Sequence, residues 1–244
     1  MFHDLRIFVL TVGEKWLPDV LRAIKSNTPE PYKLTVWYDS CGRPVQSHLV
    51  DEIKRYTDDW VLLSKNHGGA EALGFAMLYL KGKFILHVPG DCEVQPGYLE
   101  KLRFSFDHFP NVACAGNARV DDHPEFVPEW DFRPCDGKYF VPDGVLLFSK
   151  KAINSIGGID ASFNNYSLDQ REWGLRAMKH DWNLVACKGI NKEFGDMHTG
   201  RKLNPDLQKD IDHNTKAFCK IIDNGHRADW WADKKDEEAV VHVQ

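Results

Sequence analysis

Asp91 and Glu93 stand two residues apart in "HVPGDCEV", directly after the apolar run "FILHV". Two carboxylates that close repel each other unless a cation lies between them, and hard oxygen ligands suit Mg2+ or Mn2+. A solvated turn after a strand explains the same pair. His198 lies in "GDMHTGRK", a glycine-flanked polar loop with Arg201 and Lys202 close behind. An imidazole suits Mn2+ and two cations suit a diphosphate, although an exposed loop explains those residues as well. Asp39 closes the run "KLTVWYD", where a carboxylate either caps a turn or accepts hydrogen bonds from a nucleobase or ribose. Asp169 opens the pattern "DQREWGLRAMKHD". Ser167 and Gln170 read as an S-x-x-Q capping box, which puts Asp169 in a first helical turn. Its charge is favourable there against the helix dipole, by about 0.3–1 kcal/mol. Glu172 shares its helical face, and Arg176, four residues beyond Glu172, is placed to pair with it and leave Asp169 to act as a base.

These residues need elements to hold them. "RIFVLTV", "KLTVWY", "WVLLS" and "KFILHV" read as buried strands. Between them, "LPDVLRAIKS", "HLVDEIKRY" and "AEALGFAMLYLKG" carry apolar residues at helical spacing. Strand–helix–strand repeats of this length predict an α/β fold with a mainly parallel, doubly wound sheet. Ligands of such sheets sit outside the C-terminal ends of the strands. Thr11 to Glu14, Asp39-Ser40 and Asp91-Cys92-Glu93 all fall at such ends. Further on, "YLEKLRFSFDHF", "KKAINSI", "LDQREWGLRAMKHD" and "NPDLQKDIDHNTKAFCKIID" predict helices, and "NVACAGNA", "GVLLFS" and "WNLVAC" predict strands. Residues 121–142 and "GGIDASFNNYS" read as loops, with Gly157 and Gly158 ending a helix. Of the tryptophans, Trp130, Trp173, Trp182, Trp230 and Trp231 have the chemistry to stack on sugars or bases, but core packing is the commoner role.

The 244 residues, 43% of them apolar, suffice for one large α/β domain. A formal net charge of −5 argues against a protein that coats nucleic acid. The opening "MFHDLRIFVLTV" lacks the layout of a signal peptide, and no run reaches the length of a membrane span. Cys41, Cys92, Cys114, Cys135, Cys187 and Cys219 form no CxxC pair, so reduced thiols in a cytoplasm are expected rather than a zinc ribbon or disulfide scaffold. "NHGGAEALG" is glycine-rich yet matches neither the dinucleotide nor the P-loop fingerprint.

Taken in order, the segments resemble the GT-A glycosyltransferases, most closely the family 2 type, over roughly residues 5–200. "VLTVGEKWLPDVLRAI" is similar to that family's opening strand and polar turn, and "WYDSCG" to its Asp-Gly-Ser-like turn. "NHGGAEALGFAMLYLKGKFILHV" resembles the segment that begins with Asn, and "DCE" loosely matches the D-x-D motif. "GGIDASFNNYSLDQREWGLR" resembles the Gly-Gly-Phe-Asp stretch and the acidic pair that opens a helix, and His198 the late histidine. Three departures stand out. Glu93 replaces the last motif Asp, Leu168-Asp169 replaces the usual Glu-Asp, and "VPGD" lacks an extra acid before the motif.

The resemblance implies a GT-A, Rossmann-like domain over residues 1–225, with a nucleotide-sugar half (1–95), a smaller acceptor half (96–225) and a loose charged tail (226–244). It implies a metal-dependent inverting transferase, hexosyltransferase-like, that moves a sugar from a nucleotide-sugar donor such as a UDP-sugar to an acceptor hydroxyl. Thr11, Val12, Glu14, Asp39, Asn66, Gly69, Asp91, Arg201 and Lys202 would line the donor. Asp91, Glu93 and His198 would hold Mn2+ or Mg2+, and Asp169 would be the general base, with Glu172 the next catalytic candidate on the same helical face. The acceptor stays open: a polymer, a glycan or a modified nucleic-acid base. The rivals are a nucleotidyltransferase and a non-catalytic nucleotide- or sugar-binding protein of the same fold.

Overall fold

The computed structural model describes residues 4–39, 43–44, 46–63, 68–117, 132–134, 142–160, 162–163, 169–194, 207–224 and 242–243. The first half alternates strictly: β1 (Leu5–Thr11), α1 (Leu17–Asn27), β2 (Tyr32–Asp39), α2 (Ser47–Tyr56), β3 (Asp59–Leu63), α3 (Gly68–Tyr79) and β4 (Phe84–Pro89). There follow β5 (Cys92–Val94), α4 (Tyr98–His108), β6 (Val112–Asn117), β7 (Phe132–Pro134), β8 (Asp143–Ser149), α5 (Lys150–Ile156), α6 (Asp169–Lys179), β9 (Asn183–Cys187), β10 (Asn191–Glu193), α7 (Leu207–Asn224) and β11 (His242–Val243). Every strand and helix expected from the periodicity is present, with ends shifted by a few residues at most.

The main sheet has the order β11-β3-β2-β1-β4-β8-β6-β9-β7. β3, β2, β1 and β4 pair in parallel. β8 runs against both β4 and β6, which turns β6 and its parallel neighbour β9 back to the direction of β1. β1, β2, β3, β4, β6 and β9 therefore all end at one edge. β5 and β10 form a separate antiparallel ribbon. That ribbon and β11 carry no periodic signal in the sequence, and β7 falls within residues 121–142, expected as a loop. His242 and Val243, inside the expected loose tail, pair antiparallel with the outer edge of β3.

Two cores lie on the two faces of the sheet because successive strand residues point opposite ways. On one face Ile7, Val9, Leu34, Val36, Leu86 and Val88 pack with α1, α2 and α4. On the other Phe8, Trp37, Ile85, Leu146 and Phe148 pack with α3, α5 and α6. Lys150, the first residue of α5, donates to the carbonyls of Met77 (2.7 Å), Leu78 (3.1 Å) and Leu80 (2.9 Å) and so caps the end of α3. Cys92, Cys114 and Cys187 are buried and not joined in disulfides. Among the described residues, no helix is long and apolar enough to cross a membrane.

His87 is the misfit of this core. It is 4% exposed, stacks on Phe8 at 4.8 Å, and neither ring nitrogen has a hydrogen-bond partner. Burial lowers its pKa to about 3. Between about pH 6.5 and 3 the unfolded chain holds the proton and the folded chain does not, so stability falls as pH falls through that window. Relative to His87→Phe, the wild type should lose about 2 kcal/mol between pH 7 and pH 5. Urea unfolding at both values measures this, and parallel losses in the two proteins would refute it.

Candidate active site

The site is built first from the turn that follows β1. Glu14 folds back so that its carboxylate accepts from the Thr11 hydroxyl and from the Val12 N–H (3.1 Å). Thr11 in turn accepts from the Gly13 N–H at 3.0 Å. Gly13 has φ +85°, and a β-carbon there would stand 2.7 Å from the Tyr38 hydroxyl, so this position needs glycine. Burial raises the Glu14 pKa; the Thr11 bond opposes that rise, and the nearby Asp91 charge adds to it. Arg43 reaches across from beyond β2 and donates to the Val12 carbonyl. Nothing in its spacing marked Arg43 in the sequence.

The turn after β4 meets this one. Gly90 N–H donates to Leu10 O at 3.0 Å, and a β-carbon on Gly90 would lie 2.7 Å from Glu14 Oε2. The Pro-Gly break thus brings Asp91 onto the Thr11–Glu14 turn. Asp91 accepts from the Cys92 thiol at 3.7 Å, and its carbonyl accepts from Phe194 N–H at 3.0 Å. Glu93 follows two residues on, in the middle of β5, and faces Lys192 in the ladder with β10. Asp39 is the last residue of β2 and is 3% exposed. Gly69 lies in the first turn of α3, and α3 connects the end of β3 to the start of β4, so that turn also stands at the strand-end edge.

α6 ends just before β9 begins, so it runs against the sheet and its N-terminal residue, Asp169, also faces that edge. Glu172, one turn on, is 1% exposed. It takes a two-pronged ion pair from Arg176, Nε to Oε1 at 2.7 Å and Nη2 to Oε2 at 2.8 Å. Arg176 also donates to the carbonyls of Ile156 (2.6 Å) and Gly158 (2.9 Å), and Trp173 Nε1 to that of Gly157 (2.9 Å). Burial pushes the Glu172 carboxyl up, and Arg176 pulls against it. The expected Glu172–Arg176 pair is formed, as a buried clamp on the 156–158 turn. Gln170, one member of the expected capping box, has its Oε1 buried without a hydrogen-bond partner, beside Phe148, Ile159 and Trp173. Ser167, its other member, lies outside the described residues.

Thr11, Val12, Glu14, Asp39, Gly69, Asp91, Glu93 and Asp169 therefore share one edge of the sheet. Asn66, His198, Arg201 and Lys202 lie outside the described residues. Among the described residues no group of three or more His, Cys, Asp or Glu is arranged to hold a metal ion. The donor set nevertheless fits a hard divalent cation. Asp91 in the turn and Glu93 in β5 offer hard oxygen ligands two residues apart, and the crowding of Glu14 against Asp91 is charge that a cation would neutralise.

The chain matches no protein-family profile and no curated protein. Solved structures share its fold. The mannosyltransferase PcManGT of Pyrobaculum calidifontis, solved with GDP-Man and Mn2+, superposes with a TM-score of 0.66 at 14% identity, over 93% of this chain and 66% of that one. The fold is that of the GT-A glycosyltransferases. Glucosyl-3-phosphoglycerate synthase from Mycobacterium tuberculosis, solved with Mn2+, UDP and phosphoglyceric acid, gives 0.61 at 10% identity, over 93% of this chain and 80% of that one. TarS of S. aureus gives 0.57 at 14% identity, over 79% of this chain and 61% of that one. The GT-A chain described here thus spans less than two thirds of TarS and 66% of the mannosyltransferase.

Proposed function

We propose that this GT-A chain is a metal-dependent inverting glycosyltransferase that moves a sugar from a nucleotide-sugar donor to an acceptor hydroxyl. The observation that carries this reading is the meeting, at one sheet edge, of the Thr11–Glu14 turn, Asp39 and Asp91, with the Asp169-headed helix α6 turned toward the same edge. Support for the donor class comes from the neighbours solved with GDP-Man and with UDP. In this reading residues 1–95 bind the nucleotide sugar and residues 96–225 the acceptor. The reduced thiols of Cys92, Cys114 and Cys187 fit a reducing, cytoplasmic setting.

Each residue has a part. Asp39 and the Thr11–Glu14 turn hold the nucleoside, with a uridine diphosphate sugar as the first candidate. Asp91, Glu93 and His198 would hold Mn2+ or Mg2+, which when bound supplies positive charge to the departing diphosphate. Arg201 and Lys202 add to that charge, and Asn66 and Gly69 line the donor. Asp169 removes the proton of the acceptor hydroxyl, whose oxygen then bonds to the anomeric carbon from the face opposite the diphosphate. The anomeric C–O bond breaks, and its electron pair leaves on the diphosphate oxygen. Glu172, held by Arg176, keeps α6 and therefore Asp169 in place.

A panel of nucleotide sugars incubated with Mn2+, read as released nucleoside diphosphate, tests the reading directly; release from none of them, with or without a glycan acceptor, refutes it. Two binding results are expected alongside. A nucleoside diphosphate with Mn2+, at about 100 times its Kd, should stabilise the protein by about 2.7 kcal/mol, a rise in Tm of roughly 5–10 °C, and by more than either ligand alone. Glu93→Ala should abolish that synergy. Asp39→Ala should weaken nucleotide binding by roughly 10–100-fold in calorimetry, the value of a hydrogen bond to a charged group. An unchanged Kd would reduce Asp39 to a turn residue.

A further inference from the structure

Trp16 and Phe194 lie face to face beside the candidate site, with ring centroids 4.8 Å apart and planes within 8°. Trp16 belongs to the nucleotide side. It follows Glu14 by two residues, forms the N-cap of α1, and its carbonyl accepts from the N–H groups of Asp19 (2.9 Å) and Val20 (3.1 Å), so its ring is set by a helix. Lys15 Nζ lies 4.3 Å from the Trp16 ring. Phe194 belongs to the acidic side. It leaves β10, which pairs with the strand that carries Glu93, and its own N–H holds the Asp91 carbonyl at 3.0 Å. The far end of the ribbon is tied to the same helix, where Asn27 Nδ2 donates to Val94 O at 2.9 Å. The β5–β10 ribbon is thus fastened to α1 at both ends, polar at one and aromatic at the other.

We infer that Phe194 is a positioning residue whose stack on Trp16 locks the Asp91–Glu93 turn to the Thr11–Glu14 turn, so that a nucleotide bound at one and a divalent cation bound at the other stabilise each other. This rests on the proposed donor and metal roles of those turns. Two ligands that require the same arrangement of one joint must each raise the affinity of the other by an equal factor. The carbonyl of Asp91 is the physical link, because the stack on Trp16 anchors the Phe194 backbone whose N–H holds that carbonyl, and a backbone shift there shifts Asp91. Phe194 touches neither ligand in this scheme and acts only through Asp91.

The coupling factor is measured by calorimetry on the full chain, as the Kd of UDP, and in parallel of GDP, without Mn2+ divided by that with saturating Mn2+. In Phe194→Ala the factor should fall roughly tenfold, the scale of an aromatic pair, while the metal-free nucleotide Kd stays within about threefold of wild type. Phe194→Tyr keeps the ring and should restore the coupling. A residue that only stabilised the fold would lower Tm and leave the factor unchanged, and that result overturns the inference. So does an equal loss of affinity with and without Mn2+. Should Phe194→Ala unfold at the assay temperature, Phe194→Leu carries the same test, with an intermediate factor expected. If the wild type binds neither nucleotide under either condition, the donor reading itself falls and the inference falls with it. Strong wild-type coupling that survives in Phe194→Ala removes only the inference.

Discussion

Asp169→Asn should melt close to the wild type, bind the nucleotide sugar normally, and transfer sugar to acceptor about 10²–10⁴-fold more slowly. The helix-end and catalytic roles of this carboxylate make opposite claims. At the start of α6, Asn replaces Asp in shape and hydrogen bonding, and the lost charge–dipole attraction is about 0.3–1 kcal/mol, a fall of only a few degrees in Tm. As a base, Asn has no lone pair able to take the acceptor proton. Slow hydrolysis of the donor should survive, since water can release its proton to solvent. Full transfer by Asp169→Asn would place the base elsewhere. Glu172 makes a poor substitute, because both its oxygens are taken by Arg176 in a buried pair.

The second large effect is one of stability. Arg176→Met should lower stability by about 3–5 kcal/mol, or roughly 6–20 °C in Tm, because it strands the Glu172 carboxyl in the core and leaves the Ile156 and Gly158 carbonyls without their donors. The double variant Glu172→Leu with Arg176→Met should recover part of that loss, since the buried charge is then gone. Thermal unfolding of the two variants checks both statements. A single variant within about 1 kcal/mol of wild type would show that the clamp is solvated in solution.

Much of this was legible in the sequence, for physical reasons that differ by element. β1 to β4 are buried on both faces and read as apolar runs, and α1 and α2 carry one apolar stripe each, so period and length identify them. The polar ends of β1, β2 and β4 could be placed at one edge because parallel strands must all end on the same side. The Glu172–Arg176 pair follows from helical spacing, but its burial does not, since that depends on the 156–158 turn folding over it. β5 and β10 escaped notice because "CEV" and "NKE" are too short to show a period, and their partners lie far apart in the chain. The Trp16–Phe194 stack has no local signal for the same reason. His87 hid inside "FILHV", where the pattern marks a buried strand and says nothing of an imidazole left without partners.

The reversed strand β8 has a consequence for how the chain comes off the ribosome. β1 to β4 assemble from adjacent strand–helix units, each closed by a short connection, and nothing delays them once Pro89 has emerged. The free side of β4 is then complete but naked, because its neighbour β8 arrives only after roughly 60 further residues of synthesis, several seconds at typical elongation rates. During that interval the middle of the finished sheet is an unpaired apolar edge, the surface most prone to join another chain. Slowing translation between residues 90 and 149 should therefore lower the yield of native protein in a cell-free synthesis, and a chaperone that shields nascent strands should restore it.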